Sequence, residues 1–273
     1  MSKLFSNGCS FLQLRPKDNV NTFVTKILAE QYNLQLFNLA MGGRGNERIS
    51  FTTKLWFEQN GATDTFAVIG WSSMMRNDYV TNDGWKKGRI PNMDLTWRTW
   101  KLTDNTNFLK KQVGWDLDNT LIMKFLDNVL DLQNYFKLKN IPYVMYNALP
   151  NYSNSDIKDF KVISNAIDTK RFFKPETSHF EFIKENKLQC QESFSAHPSL
   201  EGHTKWANEL KEFINTKKQT LREFYNSVRA LANPDDLDYF GDLQTDPHPS
   251  AEGHLRWAKE LKEFIDANNL RTI

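Results

Sequence analysis

Apolar and polar positions along the chain alternate between a strand period and a helix period. Lys3-Leu4-Phe5-Ser6-Asn7-Gly8 is a short apolar strand that runs into a glycine turn, with Ser10 just beyond it. Residues 19–31 then place Val20, Phe23, Val24, Ile27 and Leu28 at helical spacing, which suits a helix packed on a sheet. A second short strand over residues 34–39 ends in the glycine-dense turn Met41-Gly42-Gly43-Arg44-Gly45-Asn46, and a helix is expected over residues 47–59. Residues 65–71, Thr-Phe-Ala-Val-Ile-Gly-Trp, are almost continuously apolar, the mark of a strand buried on both faces. Asp118 can cap an amphipathic helix through Leu121, Phe125, Val129, Leu132 and Phe136, and residues 141–146 follow as another strand. Alternation of this kind predicts an α/β fold: a three-layer α/β/α sandwich around a parallel, flavodoxin-like sheet.

One segment breaks the alternation. Residues 74–117 have no clear period and carry Trp85, Trp97, Trp100 and Trp115 among polar residues. So long an aperiodic stretch in a compact domain is a functional cover or a disordered stretch, and four tryptophans argue against disorder. An aromatic-rich lid is expected.

The carboxyl-terminal third contains an internal repeat: residues 195–214 return as residues 246–265, each a loop followed by a helix. Ser199 and Ser250 are suitable N-caps, and Trp206, Leu210 and Phe213 (Trp257, Leu261 and Phe264 in the second copy) form an apolar stripe. Two units are too few for a solenoid, so duplication of one terminal segment is the better account. Two near-identical segments competing for one groove also raise homo-oligomer formation by exchange of the terminal helix.

Composition narrows the classes. The chain has 273 residues, is 40% hydrophobic and 25% charged, and carries a net charge of +2 with both signs interspersed. That fits one main domain with additions and leaves no electrostatic footprint for nucleic acid or an anionic membrane surface. Cys9 and Cys190 make neither a disulfide framework nor a CxxC metal pair, so a reducing compartment, the cytoplasm, is expected. The amino terminus lacks the pattern of a signal peptide, and no apolar run approaches the ~18 residues of a membrane span.

Four of the five histidines lie in the two repeat copies. In the second, Pro247 and Pro249 bias Asp246 and His248 toward extended backbone, where residues two apart point to one side. Asp246 can then orient His248, as a general base for a serine hydroxyl requires. In the first copy Ser195 stands where Asp246 stands, so His197 lacks that partner. His203 and His254 read as helix-start residues, His179 has no neighbour in sequence that commends it, and the histidine spacing does not make a metal site.

Taken together these residues resemble the SGNH, or GDSL-type, serine hydrolases, in particular the short versions found in bacteriophage genomes. Asn7-Gly8-Cys9-Ser10-Phe11 is similar to the family's first block and implies Ser10 as nucleophile. Residues 38–46 are similar to the second and imply Gly43 as a backbone oxyanion donor. His-Pro-Ser-x-x-Gly-His is similar to the last block and implies a histidine base. The third block departs: where the family has Gly-x-Asn-Asp, this chain reads Gly70-Trp71-Ser72-Ser73, and Asn46, Ser72 and Ser73 are the candidates to substitute for the missing asparagine.

The resemblance implies a hydrolase domain over residues 1–216, followed by a duplicated terminal segment over residues 217–273. The expected activity is cofactor-free ester hydrolysis through an acyl-serine, with Ser10, His248 and Asp246 as the triad and His197 as the rival base. The aromatic segment points to an acylated glycan as substrate. A carbohydrate-binding or virion-associated protein that has lost activity is the alternative. If residues 195–214 take the native place, His197 faces Ser10; if residues 246–265 do, the Asp246–His248 pair is the base.

Overall fold

The computed structural model describes residues 1–82, 95–101, 117–152, 160–190 and 196–231, in which strands and helices alternate as the pattern predicts. Strands β1 (Lys3–Gly8), β2 (Gln35–Asn38) and β3 (Thr65–Trp71) are separated by helices α1 (Val24–Tyr32) and α2 (Asn46–Asn60). An antiparallel pair, β4 (Arg76–Thr81) and β5 (Thr96–Lys101), follows. Then come α3 (Leu117–Leu138), β6 (Tyr143–Asn147), α4 (Lys161–Ala166), the two-residue strand β7 (Phe172–Phe173), α5 (His179–Glu185) and α6 (Leu200–Leu231). Strands β2-β1-β3-β6-β7 make one parallel five-stranded sheet in that order, the flavodoxin-like arrangement with its switch point at β1 and β3.

Period-two alternation sorts side chains to the two faces of this sheet. Leu4, Val68, Val144 and Tyr146 face a core completed by Val24 and Leu28 of α1, Ile183 of α5 and Trp206, Leu210 and Ile214 of α6. Phe5, Ala67, Ile69, Tyr143 and Met145 face the opposite core, filled by Ile49 and Phe57 of α2 and by Ile122, Phe125, Val129 and Phe136 of α3. The three-layer sandwich thus follows from the apolar patterns of the individual elements.

Two expectations are revised. The segment 74–117 is not wholly aperiodic, because β4 and β5 pair within it from Arg76–Lys101 to Thr81–Thr96. Its remaining parts, 83–94 and 102–116, lie outside the described residues, as do Trp85 and Trp115. Helix α1 begins at Val24 rather than near residue 19, because Asn19 adopts a left-handed conformation that closes a short turn, Pro16–Asp18.

The chain divides into two compact units, Met1–Ile214 and Asn215–Ile273. The first repeat copy supplies the last docked residues of the first unit, with Ser199 capping α6 by accepting from the Gly202 N–H at 3.1 Å. The second copy, residues 246–265, lies outside the described residues. Among the described residues no helix is long and apolar enough to cross a membrane.

Trp206 is fully buried against Tyr146, Phe173 and Phe182. Trp206→Ala is expected to cost about 3–5 kcal/mol, measured by denaturant unfolding, because the surrounding rings cannot collapse into the space left.

Candidate active site

Ser10 emerges where β1 and β3 converge at their carboxyl ends. Gly8 lies in register with Gly70, and a Cβ on Gly8 would meet the Gly70 carbonyl oxygen at 2.6 Å. Only glycine permits this approach, so the chain leaves β1 tightly and Ser10 opens a one-turn helix, Ser10–Leu12, at the sheet edge. Asn7 secures the turn from below: its Oδ1 accepts from the Gly8 N–H at 2.9 Å, and its Nδ2 donates to the Ile49 carbonyl and Thr53 Oγ1 on α2.

The loop between β2 and α2 is tied to the same turn. Met41 N–H donates to Gly8 O at 3.1 Å, Asn38 Nδ2 to Leu12 O at 2.8 Å, and Gly42 N–H to Gln13 Oε1 at 2.8 Å. Gly42 stands beside the serine, since a Cβ there would lie 3.5 Å from Ser10 Cβ. Gly43 adopts φ +82°, a left-handed conformation that favours glycine, and open space lies where its side chain would be. Arg44 is buried, donates to Asn7 Oδ1 at 3.2 Å, and has its pKa lowered to about 10, first by burial and then by Arg48.

The imidazole beside Ser10 comes from the first repeat copy. His197 Nε2 lies 2.9 Å from Ser10 Oγ. Its backbone is held by a short antiparallel pairing, in which Cys190 N–H donates to His197 O at 2.8 Å and Ser199 N–H to Leu188 O at 2.9 Å. Pro198 keeps His197 out of helical backbone, and α6 starts immediately afterwards. Asp246 and His248 lie outside the described residues, so among those described the imidazole that meets the serine is His197.

The surroundings of His197 keep it neutral. Burial lowers its pKa to about 4, the positive charges of Arg15 and Arg76 act in the same direction, and Asp18 opposes them. Asp18 is buried, pairs with Arg15 Nε at 2.8 Å, and accepts from Cys190 Sγ through its backbone carbonyl at 3.2 Å. Cys190 therefore links the Asp18 turn to the His197 strand. Nothing at the spacing of the repeat would have disclosed Asp18, which is remote from His197 in sequence.

Of the proposed oxyanion donors, Asn46 is committed elsewhere. Its Nδ2 donates to Ser72 O at 3.0 Å and its Oδ1 accepts from Ser72 N–H at 2.8 Å, so the buried amide clamps the start of α2 to the end of β3. The hydroxyls of Ser72 and Ser73 also have partners: Ser72 Oγ accepts from Arg76 Nη1 at 3.0 Å, and Ser73 Oγ from Met75 N–H at 3.2 Å. Cys9, fully buried, has its thiol pKa raised by desolvation and hydrogen-bonds to the Ser72 side chain, so it serves as packing rather than as a nucleophile.

His179, passed over in the sequence, is fully buried, stacks on Trp206 with ring centroids 4.9 Å apart, and lies 5.5 Å from the His203 ring. Phe11 meets both His179, edge-on at 5.4 Å, and His197 at 5.3 Å. Among the described residues no three His, Cys, Asp or Glu side chains are grouped to hold a metal ion.

No family model matches the sequence, and no curated protein matches it. Solved structures similar to the chain include the psychrotrophic esterase EstA from Pseudoalteromonas sp., 12% identical over 80% of this chain and 100% of that one, with a TM-score of 0.45. A catalytic mutant of the acetylxylan esterase Axe2 from Geobacillus stearothermophilus is 15% identical over 78% and 94% of the two chains, with a TM-score of 0.40. A GDSL-like lipase from Bacteroides thetaiotaomicron is 12% identical over 79% and 89%, with a TM-score of 0.38.

The buried histidines set a pH dependence of stability. Burial lowers the His203 pKa to about 3 and that of His179 well below its ordinary value, so both are neutral when folded yet take a proton when unfolded. Their contribution is complete above the unfolded value of about 6.5 and is lost as pH falls toward the folded values, up to about 1.4 kcal/mol per histidine per pH unit. Denaturant unfolding between pH 6.5 and 4.5 is expected to show this loss, with a shallower slope in His203→Gln.

Proposed function

We propose that this protein is a serine ester hydrolase in which His197 activates Ser10. The 2.9 Å contact between His197 Nε2 and Ser10 Oγ carries the reading, because a hydroxyl becomes a nucleophile when a neutral imidazole can take its proton. Burial and the neighbouring arginines hold His197 in that neutral, accepting form.

In the proposed reaction Ser10 Oγ attacks the ester carbonyl carbon as its proton passes to His197 Nε2. The tetrahedral oxyanion is held by the backbone N–H groups of Ser10 and Gly43, both at the open sheet edge. Collapse expels the alcohol, which takes the proton from His197, and water then releases the acid from the acyl-serine by the same steps in reverse roles. Asp18 favours the imidazolium formed on the way, the part assigned to the aspartate of a triad.

The substrate reading is a small acyl ester, with an acylated sugar preferred. It rests on the aromatic residues of the segment between β3 and α3, where Trp97 packs on Phe51 at 5.7 Å. Asp78 fixes β4 to the start of α2, accepting from Arg48 N–H and from Thr99 Oγ1. The second reading, an inactive carbohydrate-binding protein, is favoured by the absence of the third-block asparagine.

Hydrolysis of p-nitrophenyl acetate distinguishes them. Ser10→Ala and His197→Ala are each expected to lower turnover by at least ~10³-fold, while His248→Ala leaves it unchanged. The kcat/KM of the wild type should stay level from neutral pH down to about pH 5.5 and fall as pH drops through the His197 value of about 4, where the base becomes protonated. Loss of turnover in His248→Ala, with His197→Ala active, would transfer the role to the second copy. A folded wild type with no turnover would favour the binding reading.

A further inference from the structure

We propose that Arg76, resting on the serine hydrolase reading above, supplies the oxyanion donor that the residues after β3 lack in this chain. Asn46 spends its amide on the Ser72 backbone in both directions, and the Ser73 hydroxyl is taken by Met75 N–H. Asn46 cannot turn toward a developing charge without breaking these buried contacts, and the Ser73 hydroxyl is oriented by the Met75 N–H that it accepts.

Arg76 reaches the site by a tight return of the chain. Its N–H donates to Ser73 O at 3.1 Å, so the first residue of β4 folds back over the end of β3. Gly45 allows the backbone to come that close, since a Cβ there would meet Arg76 O at 2.5 Å. The segment bearing Gly43 and the residue bearing the guanidinium are therefore adjacent.

The head group is anchored on Ser72, the residue that follows β3. Arg76 Nη1 donates to the fully buried Ser72 Oγ at 3.0 Å, and the same Ser72 side chain bonds to Cys9, which directly precedes Ser10. Arg76 lowers the pKa of Cys9, the chain neighbour of Ser10, against the larger effect of burial, and is the smallest of the influences that lower that of His197. A guanidinium has five N–H donors in a rigid plane, and the Ser72 contact uses one. We assign one of the others to the oxygen that becomes negative at Ser10. Such a donor is charge-assisted, about twice as strong as a neutral amide.

Kinetics of p-nitrophenyl acetate hydrolysis with Arg76→Met and Arg76→Gln, each checked for folding by circular dichroism, test this. Arg76→Met is expected to lower kcat by ~10²–10³-fold with a much smaller change in KM, the signature of an interaction made in the transition state. Removing the cation should also move the acid limb of kcat/KM to higher pH. Among the described residues, Arg15 and Asp18 from the turn after β1 and His203 from α6 still face His197. Arg76→Gln, which keeps reach and a neutral donor, should lose at least ~10-fold in kcat and show the same movement of the acid limb. It decides the matter if the methionine variant does not fold.

A folded variant with wild-type kcat and an unmoved acid limb would overturn the role of Arg76 while leaving the hydrolase reading intact. A rise in KM alone would also overturn it, by assigning Arg76 to ground-state binding. A wild type without turnover would remove the hydrolase reading and this proposal with it.

Discussion

The close passage of Gly8 over the Gly70 carbonyl is the constraint from which the site follows. With 2.6 Å between that oxygen and the place of a Cβ, β1 and β3 can converge at their carboxyl ends only because residue 8 has no side chain. Gly70 is held by packing instead of backbone, since a Cβ there would strike the buried Leu12 side chain at 2.4 Å. The convergence turns the chain sharply into Ser10 at the switch point of the sheet, the crevice where open α/β sheets bind ligands. Everything else at the sheet edge is arranged around a serine whose position the backbone has already set.

Around that position the molecule uses polar contacts buried between elements. Asn7 joins β1 to α2, Asn46 joins α2 to β3 through the Ser72 N–H and carbonyl, and Asp78 joins β4 to α2 by accepting from the first-turn Arg48 N–H. A cost follows from concentrating charge here. Arg44, Arg48, Glu47 and Asp78 are all substantially buried, and desolvation is the leading influence on each, drawing the arginines down and the carboxyls up. Such a cluster holds the loop and hairpin in one geometry, and a preorganised site needs that more than it needs stability.

Much of this was legible in the sequence where a local pattern had a local cause. The continuous apolar run over residues 65–71 marked a strand buried on both faces, and the glycine turn after β1 marked Ser10. What depended on distant pairing was not legible. Asn46 read as a free donor because nothing in its neighbourhood shows that Ser72 will meet it. His179 read as inert because Trp206, on which it stacks, comes much later in the chain. The competition between His197 and His248 could not be decided from two near-identical segments, whose difference at Ser195 and Asp246 favours one chemistry while position in the chain favours the other. The contact at Ser10 made by the first copy is the one the described residues contain.

The central claim is that Ser10 is a nucleophile activated by His197. The most direct measurement is the rate at which a fluorophosphonate labels the full chain, with the modified residue located by peptide mass spectrometry. The account predicts one adduct, on Ser10, formed rapidly in the wild type and in His248→Ala and at least ~10²-fold more slowly in His197→Ala. Absence of any adduct on the folded protein, or labelling of Ser10 that is indifferent to His197, would contradict it.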